Sequence, residues 1–124
     1  MASTTCTDLS LTPEEKANCG THTYQLEEKL TSYCSTMDLD TGVRNITTKF
    51  SGNTMTTSIH NWEFTKIATN EYESVRGKIS PTSNINRHVN TITLTMNGFT
   101  ENYAYEGLDG NLIDCWLDTY TIIK

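Results

Sequence analysis

The sequence predicts a mainly β chain. An N-terminal helical segment is followed by a six-stranded antiparallel up-and-down meander, either barrel-like or a sheet strongly curved around a helix. Three observations carry that prediction. Asn97-Gly98 sits between two alternating runs rich in Thr, Ile and Tyr, the strongest short-range signal of a hairpin. From residue 43 onward such runs recur with short turn-like separators, and short links favour strands that neighbour each other in space. Upstream, Thr12-Pro13-Glu14-Glu15 combines a capping hydroxyl, a proline suited to the first helical position and a glutamate that completes a capping box.

Taken in order, residues 1–38 form a disulfide-tied arm and helices, and residues 43–123 form the meander of a single domain. The arm through Ser10 has no pattern of its own and is held by Cys6. The first helix is interrupted at Gly20. A second runs from about residue 23 to 33, with Leu26, Leu30 and Tyr33/Cys34 as its apolar stripe and Glu27, Glu28 and Lys29 toward solvent. The strands are 43–50, 55–67, 72–79, 87–96, 99–105 and 112–122. The second changes its apolar parity between Met55/Ile59 and Trp62/Phe64, which a bulge near His60-Asn61 explains.

Composition narrows the partners. A net charge of −6 and nine scattered Lys and Arg argue against nucleic acid and anionic membrane surfaces. No apolar run approaches the ~20 residues of a membrane span. The first residues lack the basic and apolar regions of a signal peptide, while Cys6, Cys19, Cys34 and Cys115 suit an oxidising compartment. The expectation is a mature secreted chain whose leader has been replaced by a start Met. Asn45-Ile46-Thr47 is a glycosylation sequon. Four cysteines admit three connectivities, and a bridge from the N-terminal third to Cys115 is preferred because Cys115 lies on the face opposite Trp116.

The hairpin fixes which side chains share a face. Pairing across Asn97-Gly98 sets Met96 against Phe99, Leu94 against Glu101 and Ile92 against Tyr103. Carried on with Tyr105 against Leu112, the same face gathers Asp114, Trp116, Asp118, Tyr120 and Ile122. Glu101, Asp114 and Asp118 then stand among aromatic rings, where a carboxylate is costly unless solvated or paired with positive charge. A small cation satisfies that demand through charge-assisted hydrogen bonds and cation–π contact. The expected ligand-binding set is Glu101, Tyr103, Asp114, Trp116, Asp118 and Trp62. The competing account places Glu101 and Asp118 near a wet rim and makes Asp114 a turn cap or an ion-pair partner.

Other chemistries find less support. His22, His60 and His88 have no metal-ligand spacing and read as surface or hydrogen-bonded histidines. No G-x-S-x-G elbow occurs, and Asp114 and Asp118 on one strand lie about 13 Å apart, too far for a glycosidase pair. Gly107 and Gly110 are turn glycines, without a helix to complete a phosphate cradle. No cofactor or metal is expected.

A meander of this kind behind an N-terminal helical segment is similar to small lipocalin-like (calycin) carriers. Asp114-Cys115-Trp116-Leu117 resembles the Cys/Trp-containing strand of secreted arthropod amine-binding lipocalins. That resemblance spans a few residues and implies a fold rather than a function. The leading expectation is a secreted, non-catalytic binding protein for a small cationic or amphipathic molecule such as a biogenic amine. The alternative is a secreted module that binds another secreted or cell-surface protein through Thr-rich strand edges over a dry core. A third reading is a small cone-fold enzyme using Tyr103 and Asp114.

Overall fold

A computed structural model describes residues 6–30, 41–77, 85–107, 109 and 112–123, with the backbone alone at 29–30, 85–86 and 112–116. Thr12 opens helix α1 (Pro13–Asn18) with the predicted capping box: its hydroxyl accepts from the Glu15 N–H, and the Glu15 carboxylate accepts from the Thr12 N–H. The helix ends after six residues, because Cys19 is extended and Gly20 takes a φ of +87°. Cys6 is disulfide-bonded to Cys19 across 13 residues, a loop whose closure contributes about 3 kcal/mol. The pairing expected for Cys115 lies outside the described side chains, as does Cys34.

Eight strands follow among the described residues: β1 (Gly20–Leu30), β2 (Thr41–Ser51), β3 (Thr54–Thr57), β4 (Phe64–Ala68), β5 (Glu71–Arg76), β6 (Ile85–Thr95), β7 (Gly98–Gly107) and β8 (Leu112–Ile122). Each pairs antiparallel with the next, and β1 pairs with β8 to close a barrel. The mainly β, barrel-like architecture is therefore as predicted. Three local expectations give way.

The helix expected over 23–33 is strand β1 through Leu30. Tyr24 and Leu26 are buried while Gln25 and Glu27 are exposed, a period of two that ladders to β2 and β8 satisfy on both edges. Tertiary pairing overrides the helical spacing of Leu26 and Leu30. The strand expected over 55–67 is two strands. Met55 and Phe64 are direct partners, both buried, and residues 58–63 leave the sheet between them. The parity change that suggested a bulge is a connection.

The β6–β7 turn also differs. Thr95 pairs with Gly98, so Met96 and Asn97 are the turn residues. Positive φ falls on Gly98, at +147°, and not on Asn97. Leu94 therefore faces Phe99, Ile92 faces Glu101 and Asn90 faces Tyr103. Tyr105 pairs with Asp114 rather than Leu112, with an irregularity between Tyr105 and Glu106. Both registers move by two residues, an even step, so Ile92, Leu94, Phe99, Glu101, Tyr103, Asp118 and Tyr120 stay on the face assigned to them, while Met96 leaves it for the turn and is exposed.

Helix α1 sits against β6 and β7 and stoppers one end of the barrel. Asn18 is fully buried there. Its Nδ2 donates to the Thr95 and Gly98 carbonyls at 2.9 and 3.1 Å, and its Oδ1 accepts from the Tyr24 hydroxyl at 3.0 Å. Burial pushes the Glu15 carboxyl up, but the Thr12 N–H, the Tyr72 hydroxyl and the Lys66 ammonium outweigh it and hold it below the usual range. Above this stopper the interior is apolar and tight. The seam lined by Thr48, Met55, Thr57, Ile92, Leu94 and Phe99 is too narrow to seat a water molecule.

Candidate functional site

The barrel interior changes character toward the opposite end. On β8, β7, β6 and β5, the residues sharing the inward register run Tyr120–Phe99–Leu94 nearest the helix. Next come Asp118–Glu101–Ile92–Tyr72, then Tyr103–Asn90–Ser74, then Tyr105–His88–Arg76. On the other flank Glu28 of β1 is the direct partner of Asp118. Three carboxyls thus stand abreast on adjacent strands: Glu28, Asp118 and Glu101. Glu101 is 0 % and Asp118 3 % exposed, so neither lies at a wet rim.

Burial comes first in setting the protonation of this row. It pushes the Asp118 carboxyl up to about 8, helped by the hydrogen bond that the protonated carboxyl donates to Glu28 and by the charges of Glu28 and Glu101, against a smaller opposing hydrogen bond from Tyr103. Two carboxyls can share a hydrogen bond only if one keeps its proton, so the row carries less than its full formal charge at neutral pH. Tyr120 donates to Asp118 Oδ2 at 3.5 Å. The hydroxyls of Tyr103 and Tyr120 are themselves pushed well up, chiefly by burial and then by the neighbouring carboxylates. Both phenols stay protonated.

Glu101 is fastened from two sides. Asn90 Nδ2 donates to its Oε2 at 2.8 Å, and His60 Nε2 lies 2.7 Å from the same oxygen. His60 comes from the connection 58–63, which folds over the interior. Its ring stacks on Trp62 at 4.2 Å, with Phe64 and Tyr103 at 5.7 and 6.2 Å. The Arg76 guanidinium lies 3.7 Å from the centre of the Trp62 ring and donates to Asn90 Oδ1. His88 packs against Tyr105 at 4.4 Å; burial, and then Arg76, holds its imidazole below the usual range and so uncharged.

Six buried polar atoms on five residues of this end have no hydrogen-bond partner: Glu101 Oε1, Asp118 Oδ1, Trp62 Nε1, Arg76 Nε and both ring nitrogens of His88. Buried polar groups are ordinarily satisfied, so these are the atoms that a water or a ligand entering this end would satisfy. Among the described residues no group of His, Cys, Asp and Glu is disposed to hold a metal ion, and no helix is long and apolar enough to cross a membrane.

Of the residues predicted from sequence, Glu101, Tyr103, Asp118 and Trp62 are brought together. Asp114 and Trp116 occupy the inward register of β8, opposite Tyr105 and Tyr103, and their side chains lie outside the described residues. The expected Tyr103–Asp114 opposition is corrected by the register: Tyr103 faces Trp116. Glu28, His60, Arg76, His88 and Asn90 were missed. Asn90 and His88 share the parity of Ile92, a signal readable back along β6. Glu28 was hidden by the helical reading of its segment, and His60 and Arg76 depend on contacts that no local pattern encodes. Comparison with family models, with curated proteins and with solved structures finds no match to this chain.

Proposed function

We propose that the polar end of this barrel binds a small organic cation, an amine, without transforming it. One observation carries the reading: Glu101 Oε1 and Asp118 Oδ1 are adjacent, buried and unpartnered between tyrosine rings. A protonated amine supplies what those oxygens lack, and the rings of Tyr103, Tyr120 and Trp62 offer it π-faces. The His60 imidazole stands beside the other oxygen of the same carboxylate, Oε2, stacked on Trp62. An entering cation reaches Oε1 as the connection 58–63 swings aside and carries the imidazole with it, and this segment lies outside the strand ladder.

A carrier reading is favoured over catalysis because the hydroxyl of Tyr103 is held protonated by burial and cannot serve as a base near neutral pH. Barrel closure leaves no free sheet edge for a partner strand, which weighs against the strand-recruiting alternative. The Cys6–Cys19 disulfide supports a secreted protein, and Asn45, exposed on β2, is a reachable sequon position.

Titration calorimetry with pentylamine tests the reading. Binding should weaken about tenfold or more in Glu101→Gln, the loss of one charge-assisted contact. Pentan-1-ol, its uncharged analogue, should not bind. Equal affinity for amine and alcohol would sink the proposal.

A further inference from the structure

Three carboxyls abreast inside a barrel are costly unless the row sheds charge. Glu28 of β1 and Asp118 of β8 are direct partners, as are Asp118 and Glu101 of β7. Asp118 and Glu101 are buried, and Glu28 is partly so. Adjacent strands lie about 5 Å apart, and buried carboxyls at that spacing do not all ionise.

Among the described residues, the other elements present phenols, one imidazole and one guanidinium to this row. Tyr24, Tyr72, Tyr103 and Tyr120 all keep their protons. The His60 imidazole stands 2.7 Å from Glu101 Oε2. Arg44 shares the inward register of β2, and its charge is felt at Tyr120. Arg76 and His88 lie farther along the interior, beyond Tyr103 and Asn90.

The row keeps a proton. Asp118 holds it and donates it to Glu28, and burial with the charges on either side retains it up to about pH 8. Asp118 Oδ1 and Glu101 Oε1 remain without partners. An ammonium set between those two oxygens favours the ionised form of both acids and removes what holds the proton.

We infer that the acidic row exchanges a proton for its ligand: an entering amine expels the proton that Asp118 shares with Glu28, so the site loads at neutral and higher pH and empties on acidification. This rests on the cation reading and adds to it a means of release. The exchange is one for one. The ammonium enters with its charge, Asp118 becomes a carboxylate, and the proton passes to solvent by way of Glu28. Because the loaded site binds fewer protons than the empty one, affinity rises with pH.

Calorimetry of the intact protein with pentylamine at pH 7, in phosphate and in Tris, reads the proton directly, since a released proton adds the ionisation heat of the buffer that takes it up. The two heats should differ by about one proton per amine bound, and affinity should fall about tenfold or more from pH 8 to pH 6. In Asp118→Asn, pentylamine should still bind through Glu101, with the buffer difference and the pH dependence both lost. His60→Ala should keep both, and Glu28→Gln should shrink the fall between pH 8 and pH 6. Binding with equal heats in the two buffers, and level from pH 8 to pH 6, overturns the inference and leaves the cation reading standing. Proton release that survives in Asp118→Asn, or vanishes in His60→Ala, assigns the proton to another group and overturns it as well. Absence of pentylamine binding at every pH from 5 to 9 overturns both claims.

Discussion

Asp118 shows how one side chain couples the site to stability. Its carboxyl is raised to about 8 in the folded chain, above its value near 3.8 when exposed. A carboxyl raised in this way contributes stability below its unfolded value and loses it as pH rises through the folded one. Between pH 4 and pH 8 the native state therefore holds a proton that the unfolded chain releases. Asp118→Asn fixes the neutral form. Urea unfolding should find the variant and wild type similar at pH 5 and the variant more stable by on the order of 2 kcal/mol at pH 9. A pH-independent difference would show that Asp118 remains ionised in the fold. Gly98 is a residue of the opposite kind, fixed by geometry alone. A Cβ there would stand 1.9 Å from the Tyr120 carbonyl oxygen at a φ of +147°. Gly98→Ala should cost about 3 kcal/mol in the same assay, since backbone rather than a yielding side chain must move.

The connection 58–63 is the element on which function turns. Its backbone is tied by two hydrogen bonds, Ser58 N–H to Thr47 O at 2.9 Å and His60 N–H to Thr57 O at 3.3 Å. Its side chains hold it down instead, through the Glu101 contact and the stack on Trp62. If the imidazole must leave Glu101 for the cation to enter, it competes with the ligand, and removing it relieves a conformational cost of binding. His60→Ala should therefore tighten pentylamine binding several-fold in calorimetry. Weaker binding would make His60 part of the ligand's wall rather than its competitor. This element was the least legible in the sequence, since Trp62 and Phe64 look like alternating strand residues and only the Met55–Phe64 pairing shows where the chain left the sheet. β1 was misread for a related reason: Tyr24, Leu26 and Glu28 fit a period of two, but Leu26 and Leu30 fit a helix equally, and partners distant in sequence decide between them. By contrast, the acid–aromatic face of β7 and β8 was readable because a hairpin fixes parity locally. It survived two register errors because each was an even step.

At the scale of the whole molecule, closure joins a strong arc to a weak seam. β6 and β7 pair along ten residues and β1 and β2 along eight, whereas β3 and β4 share the two pairs Thr54–Thr65 and Met55–Phe64 before diverging around residues 58–63. The helical stopper strengthens the end near the β6–β7 turn, where Asn18 holds the Thr95 and Gly98 carbonyls, and Thr12 reaches Asn70 with a hydroxyl hydrogen bond of 2.5 Å. Among the described residues nothing comparable fastens β3 to β4 at the site end. Local opening follows the elements with fewest ladder bonds, so the barrel should breathe at this seam, beside the connection that covers the acidic row. Hydrogen exchange of the intact protein should find the amides of β3 and β4 exchanging well before those of β6, β7 and β1. Saturating pentylamine should slow exchange in β3, β4 and residues 58–63 more than in β1 and β2, because a bound cation holds the entry side closed. Uniform protection around the ring, or ligand protection centred on β1 and β2, would place the route into the barrel elsewhere and detach the weak seam from binding.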